Sequence, residues 1–332
     1  MRALVYLGPR RMEVEERPDP SPGPGEVVIR SRASAICGSD LHGFREASPR
    51  RIPPLVMGHE TVGEIAAVGE GVDHARVGER VVLKPILSCG VCARCRDGAI
   101  NLCASGRLVG RDLTGGFAEL FAVPSSAAVP IPAALTDDLA VLTEPLANAV
   151  HVANRDVRER DTVLVIGSGP IGVLMVRAAF LHGAARVLVT DTMAERLWFA
   201  EAQGAEAIAG DAEEGVLEAT GGQGVDLVID AAGFEATWAL GLRAVRPGGR
   251  ISQVGLGAGS GTLDYFAVLG KEATITGSYA WAGADFTRAL EVLADGELDP
   301  DGWITRMPLH DGQQAFEQLV DGGGLFKVVL EV

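Results

Sequence analysis

The sequence predicts an α/β protein: a mostly β domain followed by a doubly wound parallel sheet. Three observations carry that expectation. Between residues 20 and 130 the chain reads as short β-rich runs broken by Gly and Pro. At Thr162 a buried-strand run opens into Gly167-Ser168-Gly169-Pro170-Ile171-Gly172, followed by an apolar helix to about His182. Beyond it strand-like and helix-like segments alternate.

Composition narrows the function class. At 332 residues the chain suits two domains, on a prior of ~150 residues each. With 47% hydrophobic and 22% charged residues it reads as an ordinary globular protein. A net charge of -15 without a Lys/Arg-rich run argues against nucleic acid and against anionic membrane surfaces. The segment MRALVYLGPRRMEVEE lacks the apolar stretch of a signal peptide, and no window reaches the ~20 apolar residues of a membrane span. A cytoplasmic protein is expected.

In the first domain EVVIRSRASAI, TVGEIAAVG and ERVVLKP are β-rich, and PDPSPGPGE is a turn-rich connector, so a mostly antiparallel sheet is expected with chemistry in its loops. The stretch from Ala33 to Thr61 concentrates that chemistry in Cys37, Ser39, His42 and the adjacent His59 and Glu60. A zinc ion acting as a Lewis acid needs about three or four protein ligands and one open position. Cys37 and His59 are the right types, delivered by two different loops. A small buried thiol and a satisfied imidazole are the plain alternative.

Of the five cysteines, Cys89, Cys92, Cys95 and Cys103 fall together as C-x2-C-x2-C-x7-C. In a reducing compartment such a cluster points to metal rather than disulfides. A ferredoxin-type iron–sulfur run would end C-x3-C-P, whereas Ala104 follows the last cysteine here. Four thiolates close a tetrahedral ion and leave no place for substrate, so a structural zinc is predicted.

Thr136-Asp137-Asp138 precedes the apolar periodicity of LAVLTEPLANAVHVA, a helix start with acidic residues in its first turn. Glu144 stands directly before Pro145, which places it at an expected kink. A solvent-facing Glu is the alternative. The glycine run then matches the dinucleotide fingerprint: a tight turn at Gly167, close pyrophosphate approach at Gly169, and helix–strand packing at Gly172, with Pro170 and Ile171 opening the helix. The next strand ends in Asp191, placed to grip a ribose 2′-hydroxyl and repel a 2′-phosphate; NAD is favoured over NADP, with Arg196 close behind to soften the preference. Strand ends at Ala231–Gly233, Val254–Leu256 (Gly255 included) and Ser278–Tyr279 should line the cofactor crevice. A helix over about 284–293 and a returning helix and strand are expected to close the chain onto the first domain. Lys327 is then expected to reach back toward the cofactor phosphates, a surface Lys being the alternative.

Together ICGSDLH at 36–42, GHE at 58–60, the four-cysteine segment at 89–103, TEPLANAVH at 143–151 and VIGSGPIG at 165–172 resemble the zinc-dependent medium-chain dehydrogenase/reductase superfamily. Glu144-Pro145 looks most like its polyol, threonine and secondary-alcohol branch. The resemblance implies a GroES-like catalytic domain over 1–147 with its zinc lobe at about 86–106, a Rossmann domain over 148–283, and a return over 284–332. It implies a second, catalytic zinc on Cys37 and His59 with Glu60, Glu144 or both, a proton relay through Ser39 and His42, and Thr143 beside the nicotinamide. It also implies a homodimer or homotetramer interconverting a secondary alcohol, of polyol, sugar or aminocyclitol type, with its ketone. The alternatives are a zinc-containing reductase of aldehydes or ketones, a zinc-independent enone or quinone reductase, and a non-catalytic NAD-binding structural or sensing protein. Phe44, Phe117, Tyr279 and Trp281 are candidate pocket walls, though packing explains them equally. Arg45, Arg50 and Arg51 are candidate anion contacts, with a solvated loop the plainer reading.

Overall fold

The computed structural model describes residues 1–332, which divide into two compact units: Met1–Glu144 with Ala282–Val332, and Pro145–Trp281.

The first unit is organised on a seven-stranded sheet whose centre is the strand Glu26–Ala35. This strand pairs antiparallel with Glu60–Val68 on one side and with Lys327–Glu331 on the other. Its inward residues Val27 and Ile29 join Ile65, Val81, Phe121 and Val123 in one core, as the alternation of a half-buried sheet requires. A second core packs Phe44 and Phe117 on Phe316 of the returning helix Gly312–Asp321, with ring centroids 5.1 and 6.0 Å apart. The only parallel pair of this sheet is Ile304–Pro308 with Lys327–Glu331, because the intervening helix carries the chain back to the same end.

Register brings the chemistry together. Ala35 pairs with Glu60, so Cys37 and His59, just beyond the two paired ends, leave the sheet side by side. Val329 pairs with the same Ala35, and Ile36 donates its backbone N–H to the Val328 carbonyl at 2.9 Å. Continued by two residues, that ladder puts Lys327 opposite Cys37. Gly58 permits the turn: its φ is +96°, and a Cβ there would lie 2.7 Å from the Phe117 backbone nitrogen.

The cysteine lobe is pinched off by the two-residue strands Ile86–Leu87 and Arg107–Leu108, which pair with each other. After it, Thr136 caps the short helix Asp137–Ala140 through a 3.4 Å bond from the Leu139 N–H. The chain does not kink within a helix at Pro145. A new helix, Thr143–Asp156, begins there, with Glu144 in its first turn. Proline is tolerated in a first turn, where its missing N–H would have no intrahelical partner.

The second unit is a six-stranded parallel sheet. Its strands Glu206–Ala207, Arg186–Thr190, Thr162–Ile166, Val225–Asp230, Val245–Gln253 and Thr274–Gly277 lie side by side in that order. Numbered along the chain this is the 3-2-1-4-5-6 order of a doubly wound dinucleotide fold, reversing between Thr162–Ile166 and Val225–Asp230. The helix Pro170–Leu181 starts at the carboxyl end of the first strand with proline at its first position. No helix of the protein is long and apolar enough to cross a membrane.

Candidate active site

In the first unit the Cys37 sulfur, a His59 ring nitrogen and a Glu60 carboxylate oxygen all lie within 4.8 Å of one another. His59 and Glu60 are buried and Cys37 is partly open. Cys37 precedes the helix Gly38–Arg45, and its backbone N–H donates to Asp40 Oδ2 at 3.2 Å. Asp40 is fully buried, a position neither its spacing nor its neighbours announced. A buried carboxylate needs partners. It finds them in Arg51, whose Nη2 stands 2.8 Å away, and in His59 Nδ1 at 3.6 Å.

Arg51 is therefore not part of a solvated loop. It is 5% exposed, its charge is committed to Asp40, and it also donates to Ser39 Oγ at 3.1 Å and the Gly110 carbonyl at 3.4 Å. The loop could bury it because Gly43 leaves the space; a Cβ at Gly43 would lie 2.6 Å from Arg51 Cγ. Lys327 also departs from both sequence readings, phosphate contact and surface lysine. It is 4% exposed, and its Nζ sits 2.5 Å from Glu60 Oε2 and 3.1 Å from the Ile36 carbonyl oxygen it donates to. The strand register described above, which a sequence does not print, holds it there.

The donor set fits zinc. A thiol, an imidazole and a carboxylate are the ligand types of an open zinc site. Glu60 Oε1 is buried without a hydrogen-bond partner. Donors this close would suit one shared ion. Burial alone would pull the His59 imidazole down, but the negative charges of Asp40, Cys37 and Glu144 and a hydrogen bond with Cys37 push it up to about 10. Lys327 is likewise raised: burial lowers it, and Glu60, Cys37 and Glu144 more than offset that. Acidic groups thus surround both His59 and Lys327. Glu144, 6% exposed, contributes to that field from outside the three-donor group.

Ser39 is partly exposed and His42 has a side chain 45% exposed, 3.8 Å from Glu46; no hydrogen bond joins Ser39 to His42. Thr143 is fully buried and donates its hydroxyl to the Ala140 carbonyl at 2.7 Å. Phe44, Phe117 and Trp281 are fully buried, and Phe44 and Phe117 are core rather than pocket wall.

The four lobe cysteines meet as a separate cluster, their sulfurs within 4.8 Å of one another. Cys92 and Cys95 are 3.5 Å apart, Cys89 and Cys95 3.9 Å, and Cys92 and Cys103 4.0 Å. Backbone N–H groups of Val91 and Cys92 lower the Cys89 thiol to about 6, whereas burial and its thiol neighbours raise Cys95 to about 11. Such thiols share protons until a cation replaces them.

In the second unit the fingerprint has its expected form. Gly167 has φ +95°, and a Cβ on Gly172 would stand 1.8 Å from the Gly167 carbonyl oxygen. Asp191 accepts the Ser168 N–H at 2.6 Å and the Met193 N–H at 2.8 Å, fixing its carboxylate beside the glycine turn. Ser168 Oγ in turn donates to the Arg196 carbonyl at 2.9 Å. Ala231, Val254 and Ser278 follow the carboxyl ends of their strands, and Gly233 and Gly255 touch so closely that a Cβ on either would meet the other's backbone. Sequence reasoning missed Asp230 there. It is buried, its carboxyl is raised by burial, and it accepts from the N–H groups of Ala232 and Gly233 and from Thr237 Oγ1. Its one signal was an acidic residue ending an apolar strand.

Residues 23–133 match the family described as Alcohol dehydrogenase GroES-like domain, and residues 170–295 match Zinc-binding dehydrogenase. A probable zinc-binding alcohol dehydrogenase of Mycobacterium tuberculosis is 37% identical over 95% of this chain and 84% of its own. An L-threonine 3-dehydrogenase of Saccharopolyspora erythraea is 34% identical over 100% of this chain and 99% of its own. The crystal structure of an alcohol dehydrogenase (rspB) from Escherichia coli CFT073, complexed with NADH, superposes with a TM-score of 0.92 at 34% identity, covering 100% of this chain and 99% of that one.

Proposed function

The chain belongs to the zinc-dependent medium-chain dehydrogenases, and from that membership we propose that it is an NAD-dependent dehydrogenase of a polyol, sugar or aminocyclitol secondary alcohol. The family supplies the reaction, interconversion of an alcohol and its ketone with a nicotinamide dinucleotide. The observation that carries the site assignment is the convergence of Cys37, His59 and Glu60.

When bound, zinc supplies Lewis acidity toward the substrate oxygen, an effect that lowers the pKa of water from 15.7 to about 7 in favourable sites, and the nicotinamide supplies a two-electron hydride acceptor. The chain's own residues do the rest. Cys37 and His59 would hold the metal, with a carboxylate from Glu60, Glu144 or both. Asp40 holds His59 from behind, and Lys327 balances the charge of Glu60. Ser39 would take the substrate's hydroxyl proton, with His42 the further relay group. Gly167, Gly169 and the amino end of the helix at Pro170 cradle the pyrophosphate. Asp191 favours NAD by repelling a 2′-phosphate.

Screening polyols, sugars and cyclitols with NAD and with NADP at alkaline pH tests the reading. Activity confined to NADP, or absent on every secondary alcohol, would sink it. Cys37→Ala or His59→Ala should abolish turnover while NADH still binds, and metal analysis should fall from two zincs per chain to one. Turnover by metal-free Cys37→Ala would defeat the catalytic assignment.

The edge strand Thr274–Gly277 and the helix Tyr265–Lys271 support a homo-oligomer. Phe266 is 83% exposed, Tyr265 67% and Leu269 54%, an apolar patch of the kind that marks interfaces. Light scattering that finds only a monomer would overturn it. The five unpaired thiols fit a cytoplasmic location; recovery in an oxidising compartment on cell fractionation would contradict it.

A further inference from the structure

We propose that Arg51 is a positioning residue of the proton relay, acting through Ser39; the proposal rests on Ser39 carrying the hydroxyl proton. The geometry is specific. Arg51 Nη2 stands 3.1 Å from Ser39 Oγ and 2.8 Å from Asp40 Oδ1, so one nitrogen is shared between an anchoring carboxylate and the hydroxyl. The guanidinium is 5% exposed, whereas Ser39 is partly open. Ser39 is therefore gripped from the buried side only.

A guanidinium has donors and no acceptor, and a hydroxyl has one proton and two lone pairs. Arg51 occupies one lone pair of Ser39 Oγ and excludes the Ser39 proton from its own direction. What remains on the open side is one lone pair and one O–H. That is the inventory a one-in, one-out relay requires. In the oxidation direction the alcohol O–H proton is taken up on the free lone pair while the proton Ser39 already carries leaves to His42 or water. The hydride of the alcohol carbon would be accepted by the nicotinamide of the proposed reaction, so charge and electrons balance. Asp40 fixes the fork, and Gly43 leaves it room.

A double-mutant cycle on kcat, with zinc content and NADH affinity measured for each protein, tests this. Ser39→Ala should lower kcat by about 10²-fold, the low end for a lost proton-transfer group. Arg51→Met should lower it about tenfold with Ser39 present and less than about twofold in the Ser39→Ala background, non-additivity that marks residues acting through one another. Arg51→Lys should recover part of the loss, and zinc content and NADH affinity should stay unchanged. Should Arg51→Met fail to fold, the same cycle is run in an Asp40→Asn background, where no buried carboxylate is left without its cation. Equal losses in both backgrounds, or a loss that tracks missing zinc, would show that Arg51 only props the fold and would overturn the proposal. An unimpaired Ser39→Ala protein would instead remove the relay itself, and the Arg51 role with it.

Discussion

Lys327 shows how much a single residue depends on its surroundings. Its ammonium is buried against Glu60 at 2.5 Å, and removing one partner of such a pair leaves an uncompensated charge that costs about 3–5 kcal/mol. Lys327→Met should therefore lower the melting temperature, and more in the metal-free protein than in the zinc-loaded one, because a cation beside Glu60 replaces the lost charge. Paired thermal melts before and after chelation measure this; equal losses in both forms would separate Glu60 from the metal. Cys37 and His59 were legible because thiol and imidazole are few and chemically specific. Lys327, Arg51 and Asp40 were not, since a charged residue reads as surface until packing shows what faces it.

At the scale of elements, the cysteine lobe is closed only by the two-residue strands Ile86–Leu87 and Arg107–Leu108. A segment with so little core, and with Val91 72% and Leu102 54% exposed, depends on its thiolates. Structural zinc supplies an apparent ~10–16 kcal/mol in comparable small sites. Cys95→Ser should thus lose one zinc equivalent and become cleavable within the lobe, while the sheet of the second unit keeps its cofactor affinity. Limited proteolysis with metal analysis checks it, and an intact, metal-replete lobe would refute it. In the glycine turn, Gly172→Ala forces a Cβ to within 1.8 Å of the Gly167 carbonyl; calorimetry should register loss of NADH binding, and unchanged affinity would contradict the fingerprint. The lobe and the turn were readable because spacing is itself their geometry. The helix break at Thr143 was not: proline announces an interruption, and only packing decides whether it falls as a kink or as a new helix start.

For the molecule as a whole, acid should be the destabilising direction. Burial would raise the Asp137 carboxyl, yet hydrogen bonds from Arg80 and Arg32 hold it low; Asp226 is held low by the Thr162 N–H and Arg246 against the same opposition, and Asp112, Glu119 and Glu206 are depressed too. A depressed folded-state pKa contributes stability that is complete above the ordinary carboxylate range, about 3.9–4.3, and lost as pH falls through the folded value. Asp230, raised by burial, works in the opposite sense but alone among these. Denaturant melts should show stability falling below about pH 4.3; a flat profile there would rule out these pairs as contributors. Local spacing and residue chemistry were enough to mark the α/β class, the thiolate lobe and the dinucleotide turn; they offered Cys37 and His59 as candidates, and the family resemblance joined those two into a metal site. Packing showed that Glu60, one of the two candidate carboxylates, lies beside them, that Lys327 and Arg51 turn inward as counter-charges, and that Asp40 and Asp230 are buried. Those outcomes depend on strand register and on which charges share a desolvated space, and both are properties of residues far apart along the chain.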